Sequence, residues 1–297
     1  MMEYPFPLGY FEDFIDIISH FKDIFEVITY RDLDWIDDAD KENFYPKERA
    51  QWLKYRDPNK IYLIIQHDLD SGIQDAIDML NYEKKHQIKS VIMVLIDPIN
   101  SRLVKNINKF NTYPCPIDIP YLSELEKKFF FEIGYHGNAY ERSHFNVELA
   151  REIFRADLKY LRKHFSIQSY CPHGGPIDFN GRSNGFIDLP PEEKNRLKWV
   201  LIDYRIQFDG IFSDGGHYGV KEPDNCDLRD FIKAAKPGGR YLIHIHPCYY
   251  ARVVTPSSNF SGTHWYEAML KFYRANSTKT SFWNDVKEFI EDNYATQ

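Results

Sequence analysis

Residues 61–70, IYLIIQHDLD, form a continuous apolar run of strand length that ends abruptly in His67, Asp68 and Asp70. Residues 131–141, FEIGYHGNAYE, repeat the plan with His136 at the polar end. An unbroken apolar run suits a strand buried on both faces, and its sudden polar end suits the mouth of an α/β fold, where active sites assemble. Two such strands in one parallel sheet bring His67, Asp68, Asp70 and His136 to a common rim. Asp and His are the residue types that hold a catalytic Zn²⁺ or similar ion while leaving one coordination position open.

The chain continues this alternation. Strand-like runs at SVIMVLID, FFFEIGYH, SIQSYCP, DGIFSD and RYLIHIHP follow IYLIIQHD. Helical spacing separates them over residues 72–86, 122–129 and 147–165, and is expected again over 191–204, 228–235 and 266–275. Repeated strand and helix imply parallel pairing through crossovers. The predicted fold is α/β: an incomplete or distorted (β/α) barrel of six to seven parallel strands. Residues 1–60 differ. Phe11, Phe14, Ile15, Ile18 and Phe21 have helical spacing, FEVITY reads as a short strand, and residues 32–59 are charged and aromatic without a period. The expected organisation is an N-terminal extension, 1–60, packed on a single barrel, 61–297.

Composition narrows the chemistry. A chain of 297 residues can bury a sizeable core, and a net charge of −7 without a Lys/Arg cluster argues against binding nucleic acid or an anionic membrane. Aromatic residues make up 16% of the chain, which fits either sugar-stacking surfaces or a core built on Phe and Tyr. The four cysteines, Cys115, Cys171, Cys226 and Cys248, have no CxxC spacing and read as reduced thiols. The first residues carry acidic groups, no basic segment and no small-residue cleavage site. No uncharged run approaches the ~20 residues needed to span a bilayer, so a soluble, cytoplasmic protein is expected. Phosphate-loop, dinucleotide, nucleophile-elbow and HExxH motifs are absent, which leaves kinase and redox chemistry unsupported.

Alternate residues of a strand share a face, so Asp68 and Asp70 point the same way. A lone Asp here would more often cap the helix starting near Ser71; two behind an apolar run favour a site. His244 and His246 repeat the spacing in LIHIHP. An isolated His in an apolar strand is usually a hydrogen-bonded core residue. The segments PHGG and SDGG, carrying His173, Gly174 and Asp214, are strong turn chemistry.

In their order and spacing, HDLD, EIGYHG, SYCPHGG, DGIFSDGG and RYLIHIHP resemble the polysaccharide deacetylase family, metal-dependent enzymes that remove N- or O-acyl groups from sugars, as a divergent branch with HDxD and PHGG motifs. The resemblance implies Asp68 as general base, Asp70 and His136 as metal ligands, and His246 as the acid that protonates the leaving group. It implies a divalent ion, Zn²⁺ first, with Mn, Fe, Co or Ni as alternatives. The chain departs from the family pattern twice. Tyr140 stands where a second histidine ligand is expected, so His173 becomes the first candidate for the third ligand, with Glu141 and His67 after it. The arginine that would pair with the base is absent near Tyr170 and Cys171. The turn at His173 and Gly174 is implied to hold a tetrahedral oxyanion, and Asp214 to orient an imidazole. His67, Glu141, Gly174, Asp214 and His244 are the expected substrate contacts.

The functional expectation is a hydrolase that removes an acyl group, N-acetyl in the first instance, from an acylated sugar, nucleotide sugar or oligosaccharide. Two other readings stand beside it: hydrolysis of another non-peptide C–N bond, as in a cyclic amide, and a catalytically silent carbohydrate-binding or interaction protein on the same fold.

Overall fold

The computed structural model describes residues 5–33, 56–70, 73–96, 117–174, 181–186, 189–194, 196–199, 208–214, 227–254, 263–275 and 281–294. Its strands are β1 (Phe6–Pro7), β2 (Phe25–Ile28), β3 (Ile61–Leu69), β4 (Val91–Leu95), β5 (Glu132–Gly137), β6 (Ser169–Pro172), β7 (Lys198–Trp199), β8 (Gly210–Ser213), β9 (Arg240–Ile245) and β10 (Tyr250–Ala251). Its α-helices are α1 (Leu8–His20), α2 (Ile77–Lys85), α3 (Ile119–Phe129), α4 (Ala139–Arg142), α5 (Val147–Leu161), α6 (Pro191–Lys194), α7 (Leu228–Ala234), α8 (His264–Arg274) and α9 (Asn284–Tyr294).

β3 is buried over all nine of its residues and organises the sheet. On one edge β9 pairs with it from Tyr62 to His67. The other edge is shared, with β2 along Ile61 to Ile64 and β4 along Gln66 to Leu69. The sheet order is β7-β6-β5-β4-β3-β9-β8, and every pairing is parallel. The sheet curls into a half-barrel whose end strands β7 and β8 do not meet, the incomplete (β/α) barrel that the alternation predicts.

The strand pleat sorts the side chains. Ile61, Leu63 and Ile65 point outward into one core with Phe11, Phe14, Ile15 and Ile18 of α1 and Trp283 beside α9. Ile92, Val94, Ile133 and Tyr135 point outward into a second core under α3 and α5. Tyr62, Ile64, Val91, Met93 and Leu242 fill the concave side with Ile28 and Tyr30. Apolar side chains therefore plug one end of the half-barrel, and the next inward positions toward the strand C-termini are Gln66, Asp68, His136 and His244, all buried.

Three elements differ from the sequence expectation. The helix expected over 191–204 ends at Lys194, and Lys198–Trp199 instead pairs with Ser169 and Tyr170 of β6. Local spacing yields there to an open sheet edge, the usual way tertiary pairing overrides propensity. Within 1–60, β2 is a member of the sheet and α1 shares its core with α8 and α9, so these residues complete the barrel as well as covering it. The aromatic stretch 34–55 lies outside the described residues, as do Cys115 and Cys226. Helix α9 was not foreshadowed: its buried face includes only Val286 and Ile290, a thin apolar signal. Cys171 and Cys248 are buried free thiols. Among the described residues no helix is long and apolar enough to cross a membrane.

His67 falls on the outward face of β3. Its Nε2 lies 2.9 Å from Glu83 Oε1 of α2, and Ser90 Oγ donates to Glu83 Oε2 at 2.8 Å. The ring of Phe11 covers the imidazole edge-on at 5.7 Å. This places His67 away from the concave rim, because adjacent strand residues face opposite ways. Its expected roles as ligand or substrate contact give way to a structural one, tying α2 to the sheet. Glu83→Ala leaves both His67 and Ser90 buried without this partner, at about 1–3 kcal/mol for each orphaned group. Denaturant unfolding of Glu83→Ala should record that loss, while zinc affinity stays at the wild-type value.

Candidate metal centre

The inward residues at the C-terminal ends of β3, β5, β6 and β9 meet at one place. Asp70 follows β3, His136 is the penultimate residue of β5, and His173 follows β6. Asp70 Oδ1 lies 3.1 Å from His136 Nε2 and 3.9 Å from His173 Nε2. The three donor atoms all lie within 4.8 Å of one another. Ligands about 2.1 Å from a tetrahedral ion stand about 3.4 Å apart, so the 3.1 and 3.9 Å separations come to ligand spacing with shifts of about 0.3 to 0.5 Å. Two nitrogens and a carboxylate oxygen are also the donors that a hard or borderline divalent ion takes.

Each imidazole is fixed from behind. His136 Nδ1 donates to the Cys171 carbonyl at 3.2 Å, and His173 Nδ1 to Glu141 Oε2 at 3.3 Å. With Nδ1 carrying the proton, Nε2 turns its lone pair toward Asp70 whenever the ring is neutral. Asn184 braces this arrangement: its amide nitrogen donates to the His173 carbonyl at 3.1 Å, and its Oδ1 accepts from the Glu141 backbone at 2.9 Å. Glu141, with its side chain 1% exposed, thus supports His173 from behind. Tyr140 packs in the core against Phe145. The histidine expected at that position has no counterpart, and the imidazole facing Asp70 there comes from the β6 turn. Gly174 is exposed, and a Cβ built on it would meet nothing within 4 Å.

Beside this triad lies a second group. Asp68 Oδ2 sits 2.7 Å from His244 Nε2, and Asp68 Oδ1 accepts from Gln66 Nε2 at 2.7 Å. Tyr30 in turn donates to Gln66 Oε1 at 2.7 Å. Gln66 and His244 therefore hold the two oxygens of Asp68. His244 is held under Asp68 with 4% of its side chain exposed. Asp214 accepts from the backbone and Nδ1 of His246, at 2.8 and 2.6 Å, and so orients the imidazole. Asp70, His173 and His246 keep 27%, 16% and 14% of their side chains exposed, so the open side of the centre runs past them.

The charges reinforce one another. Burial alone would raise Asp68, but His136, His244 and His246 outweigh it and hold the carboxyl far below the usual range. Asp70 is lowered in the same way, burial being overcome by its hydrogen bond to His136 and by the neighbouring imidazoles. Burial would lower His136, yet Asp68 and Asp70 raise it to about 9. His246 is likewise raised against burial to about 9, chiefly by Asp214. Burial and the nearby Asp68 carboxylate push the Cys171 thiol well up, which keeps this neighbour of the triad protonated.

No protein-family model matches the chain, and no curated protein matches it. Solved structures similar to it include a mutant of the peptidoglycan deacetylase PdaC from Bacillus subtilis, at 13% identity and a TM-score of 0.37 over 81% of this chain and 96% of that one. They also include a mutant of a CE4 family pseudoenzyme with restored enzymatic activity, at 13% identity and a TM-score of 0.32 over 74% of this chain and 65% of the other. At that distance, what the centre can do follows from its own side chains.

Gln66, Asn184 and Ser213 escaped the sequence reading. Gln66 alone carried a signal, the two-residue spacing Gln66, Asp68, Asp70.

Competitive titration with a chromophoric chelator should rank the donors. Asp70→Ala and His136→Ala should lose stoichiometric zinc, and His173→Ala should bind it at least 10- to 100-fold more weakly. Glu141→Gln should fall nearer tenfold. Unchanged affinity in His173→Ala would remove that residue from the ion. A second outcome follows from the imidazolium at His136. Its folded pKa of about 9 exceeds an unfolded value of about 6.5, so its stabilisation is complete below pH 6.5 and is lost as pH rises through 9. The melting temperature of chelator-treated protein should drop over that range, at about 2–4 °C per kcal/mol. Zinc must displace the same proton, so the stabilisation given by a fixed zinc concentration should grow over the same range. A flat profile for both would contradict the assigned charge state.

Proposed function

We propose that the protein is a metal-dependent hydrolase that removes an acyl group, N-acetyl in the first instance, from a soluble saccharide or nucleotide-sugar substrate. The observation that carries this reading is the pairing, on one open rim, of the Asp70–His136–His173 donor triangle with an ionised carboxylate, Asp68, and a carboxylate-backed imidazole, His246. When bound by Asp70, His136 and His173, a divalent ion supplies Lewis acidity, which polarises an acyl carbonyl and acidifies water.

The remaining work falls to the chain. Asp68 stays ionised throughout the neutral range and accepts the proton of the attacking water; Gln66 and His244 fix its two oxygens while it does so. His246 holds a proton at neutral pH, and its position by Asp214 lets it deliver that proton to the leaving nitrogen or oxygen. The lowered carboxyl is ionised and the raised imidazole protonated at neutral pH, so acceptor and donor each start in the state that hydrolysis needs. Water adds to the acyl carbon, the bond to the leaving atom breaks, and a carboxylic acid and a free amine or alcohol result. Tyr249, half-buried with its ring 5.2 Å from that of His246, offers a flat apolar face of the kind that sugar rings stack on.

Asp68→Asn should bind zinc at wild-type stoichiometry and lose about 10²- to 10⁴-fold in turnover. Acetate release from a panel of acetylated nucleotide sugars and oligosaccharides, with cyclic amides alongside, provides the assay. Ring opening of a cyclic amide without acetate release would move the reading to the other C–N hydrolases, and an Asp68→Asn variant with full activity would take the base role from that residue.

A further inference from the structure

We infer that the centre has a second divalent-cation position, formed by Asp68, His244 and His246 next to the Asp70–His136–His173 triad, and that an ion there switches turnover off. The inhibitory part rests on the acid and base roles proposed above; the site itself rests on geometry. The donor atoms of Asp68, His244 and His246 lie within 4.8 Å of one another, as those of the first triad do.

All four imidazoles are built alike. Nδ1 of His136 meets the Cys171 carbonyl, that of His173 meets Glu141, that of His246 meets Asp214, and that of His244 lies 3.3 Å from Ser213 Oγ. Every Nε2 is left facing one or both of two central carboxylates, Asp68 and Asp70. Such backing by carboxylates, carbonyls and hydroxyls is how ligating histidines are held. Asp70 spans the two groups. Its Oδ1 faces His136 and His173, while its Oδ2 lies 4.0 Å from His246 Nε2. One carboxylate with an oxygen toward each position is the arrangement that holds two ions about 3.5–4 Å apart.

Charge points the same way. Asp68, Asp70, Asp214 and Glu141 surround four imidazoles, so with the proton on His246 one dication leaves an excess of one negative charge, and a second dication that displaces that proton leaves none. Distance sets the order of filling. Each position contains a hydrogen-bonded pair, Asp70 with His136 at 3.1 Å in the first and Asp68 with His244 at 2.7 Å in the second. The second ion must part its pair by about 0.7 Å to reach ligand spacing, against about 0.3 Å for the first. It therefore binds more weakly, and it engages both the base and the acid.

Zinc titration of chelator-treated protein, followed by native mass spectrometry, should find two ions per wild-type chain, one tight and one weaker. His244→Ala and His246→Ala should each hold one. In cobalt-loaded wild type, the high-spin electron paramagnetic resonance signal should grow through the first equivalent and shrink on the second, as the ions couple through Asp70. Turnover should peak at one equivalent and fall at least tenfold as the second position fills. One zinc per wild-type chain at saturation, or two in both variants, would overturn the site. Turnover that climbs with the second equivalent would overturn its inhibitory role. Two ions bound by a protein that cleaves no acyl sugar would uphold the site while refuting the proposed reaction.

Discussion

A strand has two faces, and the chemistry of this protein depends on which residues of β3 fall on which. Ile61, Leu63, Ile65 and His67 look out toward the helices, while Tyr62, Ile64, Gln66 and Asp68 look into the half-barrel. Asp70, one residue past the strand, continues the inward row. A slip of one residue in pairing would exchange the two sets, parting His67 from Glu83 and putting it where Asp68 now stands. Register is held from both sides: β9 pairs Gln66 with His244, and β4 pairs Asp68 with Met93. The same pairing that builds the apolar plug at one end of the barrel sets the donor atoms at the other.

Burying this many ionisable groups is costly unless each is matched, and the matching explains residues with no chemistry of their own. Asp68 is gripped by an amide and an imidazole, and the amide is itself fixed by the Tyr30 hydroxyl rising from the barrel interior. Tyr30 follows β2, the strand that the N-terminal residues add to the sheet. The orientation of the proposed base thus reaches back to residues 25–30, which gives the extension a part in the site as well as in the core. An arginine could have satisfied Asp68 alone. Here the work is divided between an amide and an imidazole, one on each carboxylate oxygen.

Much of the architecture was legible because it follows from periodicities that hydrophobic burial enforces. The apolar runs at 61–69 and 132–137 became central strands, and the inward pair Asp68 and Asp70 could be read from the two-residue spacing. Where reading failed, the deciding contact joined residues distant in sequence. His67 was grouped with its neighbours along the chain, whereas its partner Glu83 lies across a helix. His244 and His246 have the same spacing and the same apolar surroundings, and only the sheet tells them apart, giving one to Asp68 and the other to Asp214. Gln66 and Asn184 are amides, which no ligand or acid-base pattern singles out. β7 is two residues long, and it exists because β6 has an edge to offer.

The placing of His173 on a turn beside a short helix has a physical logic of its own. α4, at four residues, is one turn long and could not by itself hold a ligand rigidly. Tyr140 in its middle is spent on the core, stacked edge-on against Phe145, and this fixes the turn of helix by packing. Glu141, the next residue, then faces the β6 turn and accepts from His173. Asn184 closes the loop by bonding the backbone of both segments, so that helix, turn and carboxylate are tied together. His173 is thereby held from behind although it lies one residue beyond the end of its strand. The place of His173 is thus set by Tyr140, Glu141 and Asn184, each of which would look incidental if read alone.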